Sequence, residues 1–348
     1  MPSRKPSSDV PNYAPVVHVY RGAHVESAHY GGIVMADSQG RILRAFGDPD
    51  AATFLRSSAK PFQLAAVIAS GAADHFALTP RELAVATASH NAEDRHLEAV
   101  SSILSKIGLT EQHLLCGKHE PLGAEPARKL RKSGRRPTPL HSNCSGKHAA
   151  MLALAVHRGW SPEAYTERDH PVQQEMAASV AAFGGVAPGE MIFAVDGCTV
   201  PTFGISLREA ATAYARLMEP AGLPASAAEA AGRVVTAMRA HPEMVGGEGV
   251  IDTELMRLCG SDLVAKRGAE GFYGIGFRRE GRGIGIAFKI ADGDLTGRAR
   301  DAVTIEVVHQ LGLASRDALA ELEETYLPPI TNRRDQVVGR LEACFSII

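Results

Sequence analysis

A serine and a lysine stand three residues apart, at Ser57 and Lys60, in the segment Arg56–Gln63 (RSSAKPFQ). On a helical turn, residues three apart share a face, so the lysine amine can reach the serine hydroxyl. A serine is a weak nucleophile until a base takes its proton, and a lysine whose pKa is lowered by burial can be that base. The spacing therefore indicates a candidate Ser-Lys pair for nucleophilic catalysis.

The same segment also has a purely structural interpretation. The pattern S-x-x-K is found in serine β-lactamases and penicillin-binding proteins, but in isolation it also describes a helix-capping serine followed by a surface lysine. Pro61 disfavours helical geometry at Lys60, so the helix begins late or the turn is irregular. In the later segment ASHNAE, Ser89 or Asn91 could likewise cap the helix that follows.

The stretch His141–His148 (HSNCSGKH) concentrates reactive side chains directly before an apolar run. A helix that begins here directs its first N–H groups and Lys147 at an anionic group. Cys144 and His148 are four residues apart, so both can face one metal ion or one substrate. The upstream glycine spacing of a P-loop is missing.

Asp196 and Cys198 follow the apolar run 191–194, where a predicted strand ends. Such strand ends commonly bind ligands in α/β proteins, although a tight Asp-Gly turn explains the same residues. By spacing alone, Cys144, His148 and Cys198 form the expected metal-ligand set. Two glycine-containing segments, 241–247 (HPEMVGG) and 266–271 (KRGAEG), could each be a surface loop, but we interpret both as backbone that approaches a ligand closely.

Composition narrows the class of protein. The chain has a net charge of -2, and no basic stripe interleaved with aromatic residues occurs, so we expect no nucleic-acid partner. Five widely spaced cysteines favour a reducing compartment over a disulfide framework. No apolar stretch reaches membrane-spanning length, and residues 1–14 are predicted to be a disordered leader without a signal peptide. We therefore expect a cytoplasmic protein that has no membrane partner.

Strand patterns occur at both ends of the chain, with a helical, alanine-rich middle. Segments 16–21, 31–36 and 41–46 are expected to form an antiparallel meander, and segments 271–278 and 283–290 a hairpin. A helix over 298–311 and a last strand over 336–345 are also expected. The other helices are expected to begin near Phe62, Glu93, Gly146, Val172, Leu207 and Ser226. The predicted fold is α/β: a mixed, largely antiparallel sheet from both termini, covered by helices, with a helical subdomain, in one domain over 15–348.

Taken together, the segments resemble the thermolabile L-asparaginase II family, also called class 3. The resemblance covers nearly the whole chain and rests on the combination of SSAKPFQ, ASHNAE, NCSGKHAAML, DGC-x-x-PT, HPEMVGG and K-x-GAEG. It implies a fold similar to that of serine β-lactamases and glutaminases, a homodimer, and hydrolysis of L-asparagine to L-aspartate and ammonia.

The resemblance also implies roles for individual residues. Ser57 would be the nucleophile and Lys60 its partner in proton transfer, while Ser89 and Lys266 would form a second pair that relays protons. Two lysine amines in one enclosed site would lower each other's pKa.

For the remaining site, the resemblance implies zinc bound by Cys144, Lys147 and Cys198, with water as a further ligand. Arg56 and Asp196 would hold the α-carboxylate and α-amine of the substrate, and His148 is assigned to the same substrate-binding set. One departure is visible, because Thr199 stands where the family is expected to have glycine. A side chain there would crowd the metal or narrow the pocket.

Three other functions remain open at this point. The same serine would serve a glutaminase or another serine amidohydrolase. Cys144 could instead be the nucleophile. Outside catalysis, the chain could be a protein that binds a metal or a small molecule without turnover.

Overall fold

The computed structural model describes residues 10–187, 189–260 and 262–348. The strands are β1 Ala14–Arg21, β2 His24–Asp37, β3 Ile42–Phe46, β4 Ala52–Phe54, β5 Ile192–Val195, β6 Pro201–Ser206, β7 Leu263–Arg267, β8 Phe272–Arg279, β9 Arg282–Ile290, β10 Ile330–Thr331 and β11 Val337–Ala343. The helices are α1 Lys60–Ala69, α2 Ala72–His75, α3 Pro80–Ala86, α4 Asp94–Lys106, α5 Ala124–Lys132, α6 Ser145–His157, α7 Pro171–Gly184, α8 Leu207–Met218, α9 Ala225–Ala240, α10 Pro242–Val245, α11 Ile251–Leu258, α12 Arg298–Gln310 and α13 Arg316–Tyr326.

Both ends of the chain build the main sheet, whose strand order is β10-β11-β1-β2-β9-β8-β7, with β3 paired to β2. The C-terminal strand β11 lies antiparallel to β1, with Val17 opposite Ala343. The central pair β2–β9 is antiparallel as well, with Val34 opposite Ala287. The predicted sheet from both termini, covered by helices, is confirmed.

The predicted meander and hairpin both occur, with one difference in length. Strand β2 is 14 residues long, because the chain turns sharply at Gly22 and pairs with β1 from His24 onward. In the hairpin, Arg279 pairs with Arg282 around the two-residue turn Glu280-Gly281, where both φ angles are positive. This is the turn geometry that matches the twist of two adjacent strands.

Helix α8 packs on the sheet at very short range, because glycines replace side chains there. A Cβ atom added at Gly285 would lie 1.9 Å from the carbonyl oxygen of Ala211, and one at Gly274 would lie 2.0 Å from the Tyr214 ring. The buried hydroxyl of Tyr214 then donates to the Ser58 carbonyl at 2.9 Å. Helix α8 therefore connects the sheet to the segment that carries the candidate nucleophile.

The six helix starts expected in the middle of the chain agree with the structure to within two residues. A small sheet of order β4-β6-β5 was not predicted. Of the predicted leader, residues 1–9 lie outside the described residues, and Ala14 already belongs to β1. None of the described helices is both long enough and apolar enough to cross a membrane.

Candidate functional site

The segment from Arg56 to Lys60 forms an irregular turn between β4 and α1. Arg56 to Ala59 form a short 3₁₀ helix, and Arg56 has a φ of 50°, in the left-handed region. Lys60 itself is helical, with φ -58° and ψ -38°, despite the proline that follows. Pro61 lies in the first turn of α1, where its missing N–H breaks no helical hydrogen bond. The helix therefore begins at Lys60, and the irregularity lies before it.

The two adjacent serines of this turn have different environments. Ser58 is fully buried, and its Oγ donates to the carbonyl oxygen of Lys266 at 2.6 Å. Ser57 is partly exposed. Among the described residues, the hydroxyl of Ser57 has no hydrogen-bond partner in the protein, whereas that of Ser58 is already committed. Ser57 is thus the serine of this pair that is free to meet a ligand.

Ser89 lies between two buried lysines. Its Oγ is 3.1 Å from Nζ of Lys60 and 3.1 Å from Nζ of Lys266. The Lys60 amine also donates to the carbonyl of Ala88, and both lysines are 0% exposed. Lys60 is therefore not a surface lysine, and the simple helix-cap interpretation of S-x-x-K is wrong.

The backbone around Ser89 is fixed by the loop 241–247. The Ser89 N–H donates to the carbonyl of Val245 at 2.9 Å, and the Asn91 N–H donates to that of Gly246 at 3.0 Å. Helix α4 is capped by Glu93, so neither Ser89 nor Asn91 is its cap. The segment HPEMVGG thus supports the Ser89 loop through its carbonyl groups.

Burial sets the electrostatics of the two lysines. It lowers the pKa of Lys266 to about 7, although the nearby carboxylate of Asp252 opposes this. It also lowers the pKa of Lys60, and the charge of Lys147 acts in the same direction. Two amines with lowered pKa therefore share one hydroxyl group.

The second cluster forms where α6 meets the turn between β5 and β6. Lys147 Nζ donates to Sγ of Cys198 at 3.0 Å, and the side chains of Cys144 and Cys198 shift each other's pKa in opposite directions. The interaction with Cys144, together with the charge of Lys147, lowers the pKa of Cys198 to about 5. The same interaction, with burial, raises the pKa of Cys144 to about 12. Burial opposes the charge on Lys147, but the two cysteines raise its pKa above the usual range.

This cluster supplies soft donors to a metal ion. Two sulfur atoms and one amine converge, all from buried residues, and thiolates are preferred zinc ligands. Among the described residues, no group of three or more His, Cys, Asp and Glu side chains is arranged to hold a metal. A third protein ligand would therefore have to be Lys147 after it loses its proton. The residues fit zinc on that condition, and the zinc site stays a prediction.

Arg56 and Asp196 form an ion pair next to this cluster. Nε of Arg56 lies 2.7 Å from Oδ1 of Asp196, and the two side chains are 25% and 10% exposed. Burial alone would raise the pKa of Asp196, but the charges of Lys147 and Arg56 lower it. A cation and an anion thus lie beside the Cys-Lys-Cys cluster, with part of each in contact with solvent.

His148 is completely buried on α6, and burial lowers its pKa to about 3. Its Nδ1 lies 2.7 Å from the hydroxyl of Tyr165, which accepts the N–H of Leu115. The His148 Nε2 has no hydrogen-bond partner among the described residues. The substrate-binding role of His148 stays a prediction.

Thr199 has a φ of 77°, a conformation that is unfavourable for a β-branched residue and natural for glycine. Its side chain is exposed, and Oγ1 donates to the carbonyl of Leu115 at 2.8 Å. The side chain therefore lies outside the buried Cys-Lys-Cys cluster. The conformation also supplies the physical reason for expecting glycine at this position.

Sequence reasoning missed Asp252, a fully buried carboxylate on α11. Its Oδ2 lies 3.3 Å from Nζ of Lys266 and accepts the backbone N–H of Arg267 at 3.2 Å. The segment GVIDTEL gives no motif that marks this aspartate, because its partner is distant in sequence. Its burial is visible only in the folded chain.

A surface cavity of about 690 Å³ lies beside the Ser89 loop. Asn91, Arg135 and His141 belong to its lining, but none of the predicted catalytic residues does. Cavity volume therefore does not point to the predicted catalytic residues.

A family model described as L-asparaginase II matches residues 17–343. No curated protein matches this chain. Among solved structures, Mglu in its native form is 16% identical, with 82% of this chain and 64% of that chain covered and a TM-score of 0.38. Mglu in its tris and glutamate form is 17% identical, with 87% and 64% covered and a TM-score of 0.39.

A β-lactamase from Mycobacterium bovis is 13% identical, with 79% of this chain and 94% of that chain covered and a TM-score of 0.36. The chain thus spans 64% of the length of each of these two Mglu structures. Structural similarity at these TM-scores does not by itself identify a shared activity.

Proposed function

The chain belongs to the L-asparaginase II family of amidohydrolases, and we propose that it hydrolyses L-asparagine to L-aspartate and ammonia. The observation that carries this proposal is the arrangement of the two lysines. Lys60 and Lys266 are both buried, and both lie 3.1 Å from Ser89 Oγ, while Ser57, three residues before Lys60, is partly exposed. Such a cluster can remove a proton from a serine and return it to a leaving group.

The Arg56–Asp196 pair supports an amino-acid substrate. A free α-amino acid carries one negative and one positive group, and a guanidinium and a carboxylate complement these two charges. Both side chains retain some exposure, so a ligand can compete for them. We infer that Arg56 binds the α-carboxylate and Asp196 the α-amine, with His148 in the same binding set.

The proposed reaction proceeds in two steps. Ser57 Oγ attacks the side-chain amide carbon while Lys60 takes the hydroxyl proton, and backbone N–H groups, including that of Ser57, hold the oxyanion. Catalytic hydrogen bonds often shorten only in the substrate complex, which fits the absence of a Ser57–Lys60 bond in the free protein. Ammonia then leaves with a proton from the lysines. Water hydrolyses the ester to aspartate, and Ser89 with Lys266 relays protons.

Zinc held by Cys144, Lys147 and Cys198 would supply a fixed positive charge that can orient a substrate. We assign the metal a structural or substrate-positioning role, because Ser57 already supplies the nucleophile. Removal of zinc by a chelator should then raise the KM for asparagine while the protein stays folded.

The environment of Cys144 argues against this residue as the nucleophile. Its side chain is 5% exposed, and its pKa is raised to about 12, so the thiol stays protonated near neutral pH. The thiolate is the nucleophilic form of cysteine. Ser57 therefore remains the better candidate.

The neighbouring serine provides a matched control for the test. Ammonia release from asparagine and from glutamine is measured for the wild type, S57A and S58A. We expect the wild type to act on asparagine and S57A to be inactive. S58A should turn over substrate with lower stability, because only a buried hydrogen bond is lost. Mass spectrometry after rapid quenching should detect an acyl-enzyme in S58A but not in S57A.

Two results would contradict the proposal. Normal turnover by S57A would remove Ser57 from the mechanism. Turnover of glutamine as fast as that of asparagine, or faster, would show that the proposed substrate is wrong, although the protein would still be an amidohydrolase. We also propose that the protein is a homodimer, which light scattering on the same preparation can test. We further propose that it is located in the cytoplasm.

A further inference from the structure

The carboxylate of Asp252 is fully buried and contacts the amine of Lys266. A buried charge is strongly unfavourable unless it is paired and hydrogen-bonded. Here Oδ2 accepts from Nζ of Lys266 at 3.3 Å and from the N–H of Arg267 at 3.2 Å. Burial would raise the pKa of Asp252, but the charges of Lys266 and Arg267 lower it, so the carboxylate stays ionised.

The hydrogen bonds of Lys266 show what this carboxylate does. Nζ has three acceptors, which are Ser89 Oγ at 3.1 Å, the Arg267 carbonyl at 3.1 Å and Asp252 Oδ2 at 3.3 Å. A protonated lysine has three N–H donors, so these acceptors saturate it and fix its direction. Only Asp252 among them carries a charge.

The other charges near Lys266 act against its protonation. Lys60 on α1 and Arg267 on its own strand both lower its pKa, in addition to burial. Tyr273 on β8 faces Asp252, and burial together with that carboxylate raises the pKa of Tyr273, so it stays neutral. Asp252 is thus the group that offsets the cations around Lys266, whose pKa is about 7. An amine near its own pKa can both give and take a proton at neutral pH.

We propose that Asp252 is a positioning residue, whose carboxylate holds the Lys266 amine against Ser89 and keeps that amine able to exchange protons. Ser89, Lys266 and Asp252 then form a buried triad behind the Ser57–Lys60 pair. The catalytic part of this inference rests on the proposed amidohydrolase function. The electrostatic part does not.

The test compares D252N, D252E and E254Q with the wild type. Glu254 lies on the same helix, pairs with Arg257 at 3.2 Å and makes no contact with Lys266, so E254Q is the matched control. The Lys266 titration is followed by NMR on protein labelled at lysine Cε, and K266M identifies its signal. Asparagine kinetics are measured on the same samples.

We expect the Lys266 midpoint to fall by about 1 to 3 pH units in D252N, because an adjacent opposite charge is lost. Its kcat should fall at least about tenfold while KM changes less than about threefold, since proton transfer rather than binding is affected. D252E should recover part of both losses, and E254Q should behave like the wild type. An unchanged Lys266 midpoint and kcat in D252N would overturn the proposal.

Two other outcomes are also decisive. If D252N does not fold, the double variant D252N/K266M removes both partners and should fold, since no unpaired buried charge remains. A double variant that also fails to fold would overturn the proposed pairing. If the folded wild type releases no ammonia from asparagine or glutamine, the proposed function fails, while the Lys266 midpoint still decides the role of Asp252.

Discussion

The contact between α6 and α3 leaves no room for a side chain at Gly146. A Cβ atom there would lie 2.1 Å from the Val85 carbonyl oxygen and 2.7 Å from its carbonyl carbon. Both are backbone atoms, so relief of the clash in G146A requires the two helices to separate by about 1 Å, and such overpacking costs about 1 to 3 kcal/mol. Alanine also favours the helix over glycine by roughly 0.5 to 1 kcal/mol, which offsets part of this cost.

Gly232 on α9 provides the control, because a Cβ atom there meets nothing within 4 Å. G232A should therefore stabilise the protein by roughly 0.5 to 1 kcal/mol, since only the helix term remains. We expect the free energies of unfolding of the two variants, measured in urea by circular dichroism, to differ by about 1 to 3 kcal/mol. The less stable variant should be G146A.

The separation of α3 and α6 in G146A should also lower the activity. Helix α6 carries Lys147, and α3 leads directly into Ser89, so their separation moves the two clusters apart. A shift of about 1 Å can cost on the order of 100-fold in rate, so kcat/KM for asparagine should fall in G146A and stay unchanged in G232A. If G146A were as stable and as active as G232A, the inference that α3 and α6 leave no room for a side chain at Gly146 would be wrong.

Three further predictions concern the site and its surroundings. Folding lowers the pKa of Lys266 from 10.5 to about 7, so the unfolded state binds more protons between these two pH values. The free energy of unfolding should therefore rise with pH across this window, and K266M should reduce the slope of that rise. Urea unfolding at pH 7, 8 and 9 measures this, and equal slopes would contradict it. D196N should raise the KM for asparagine about tenfold to a hundredfold, because a charged hydrogen bond is worth about 1.5 to 3 kcal/mol, and a loss confined to kcat would contradict the assigned role. T199A should lower the free energy of unfolding by about 1 kcal/mol, because the hydrogen bond to Leu115 is lost. T199G should stay within about 1 kcal/mol of the wild type, because relief of the positive φ compensates for the lost bond. A loss above about 2 kcal/mol in T199G would show that the φ of Thr199 is unstrained.

Local sequence was sufficient for most elements of the fold. The turn around Glu280-Gly281 requires positive φ at both positions, and glycine in the second position makes the hairpin recognisable. Helix starts such as that of α8 were predictable because Ser206 and Glu209 form a reciprocal cap, which depends only on residues three apart. The small sheet β4-β6-β5 was missed, because β4 and β6 are short and more than 140 residues apart in the chain.

The candidate site divides in a similar way. Residue types and the combination of short motifs singled out Ser57, Lys60, Ser89 and Lys266, and the structure places the two lysines at the hydroxyl group of Ser89. The sequence could not distinguish Ser57 from a structural serine by its burial. That difference arises because strand β7 passes behind the turn and takes the hydrogen bond of the adjacent Ser58.

What the sequence determined by itself is the identity of the reactive groups and the local elements that carry them, because spacing and capping act over a few residues. Tertiary structure decided which groups are buried, and with that their charge. The pKa of Lys266 follows from burial and from Asp252, 14 positions away, and that of Cys198 from Cys144, more than 50 positions away. Desolvation and hydrogen bonds between distant segments exist only when the chain is folded, so no motif could have shown them.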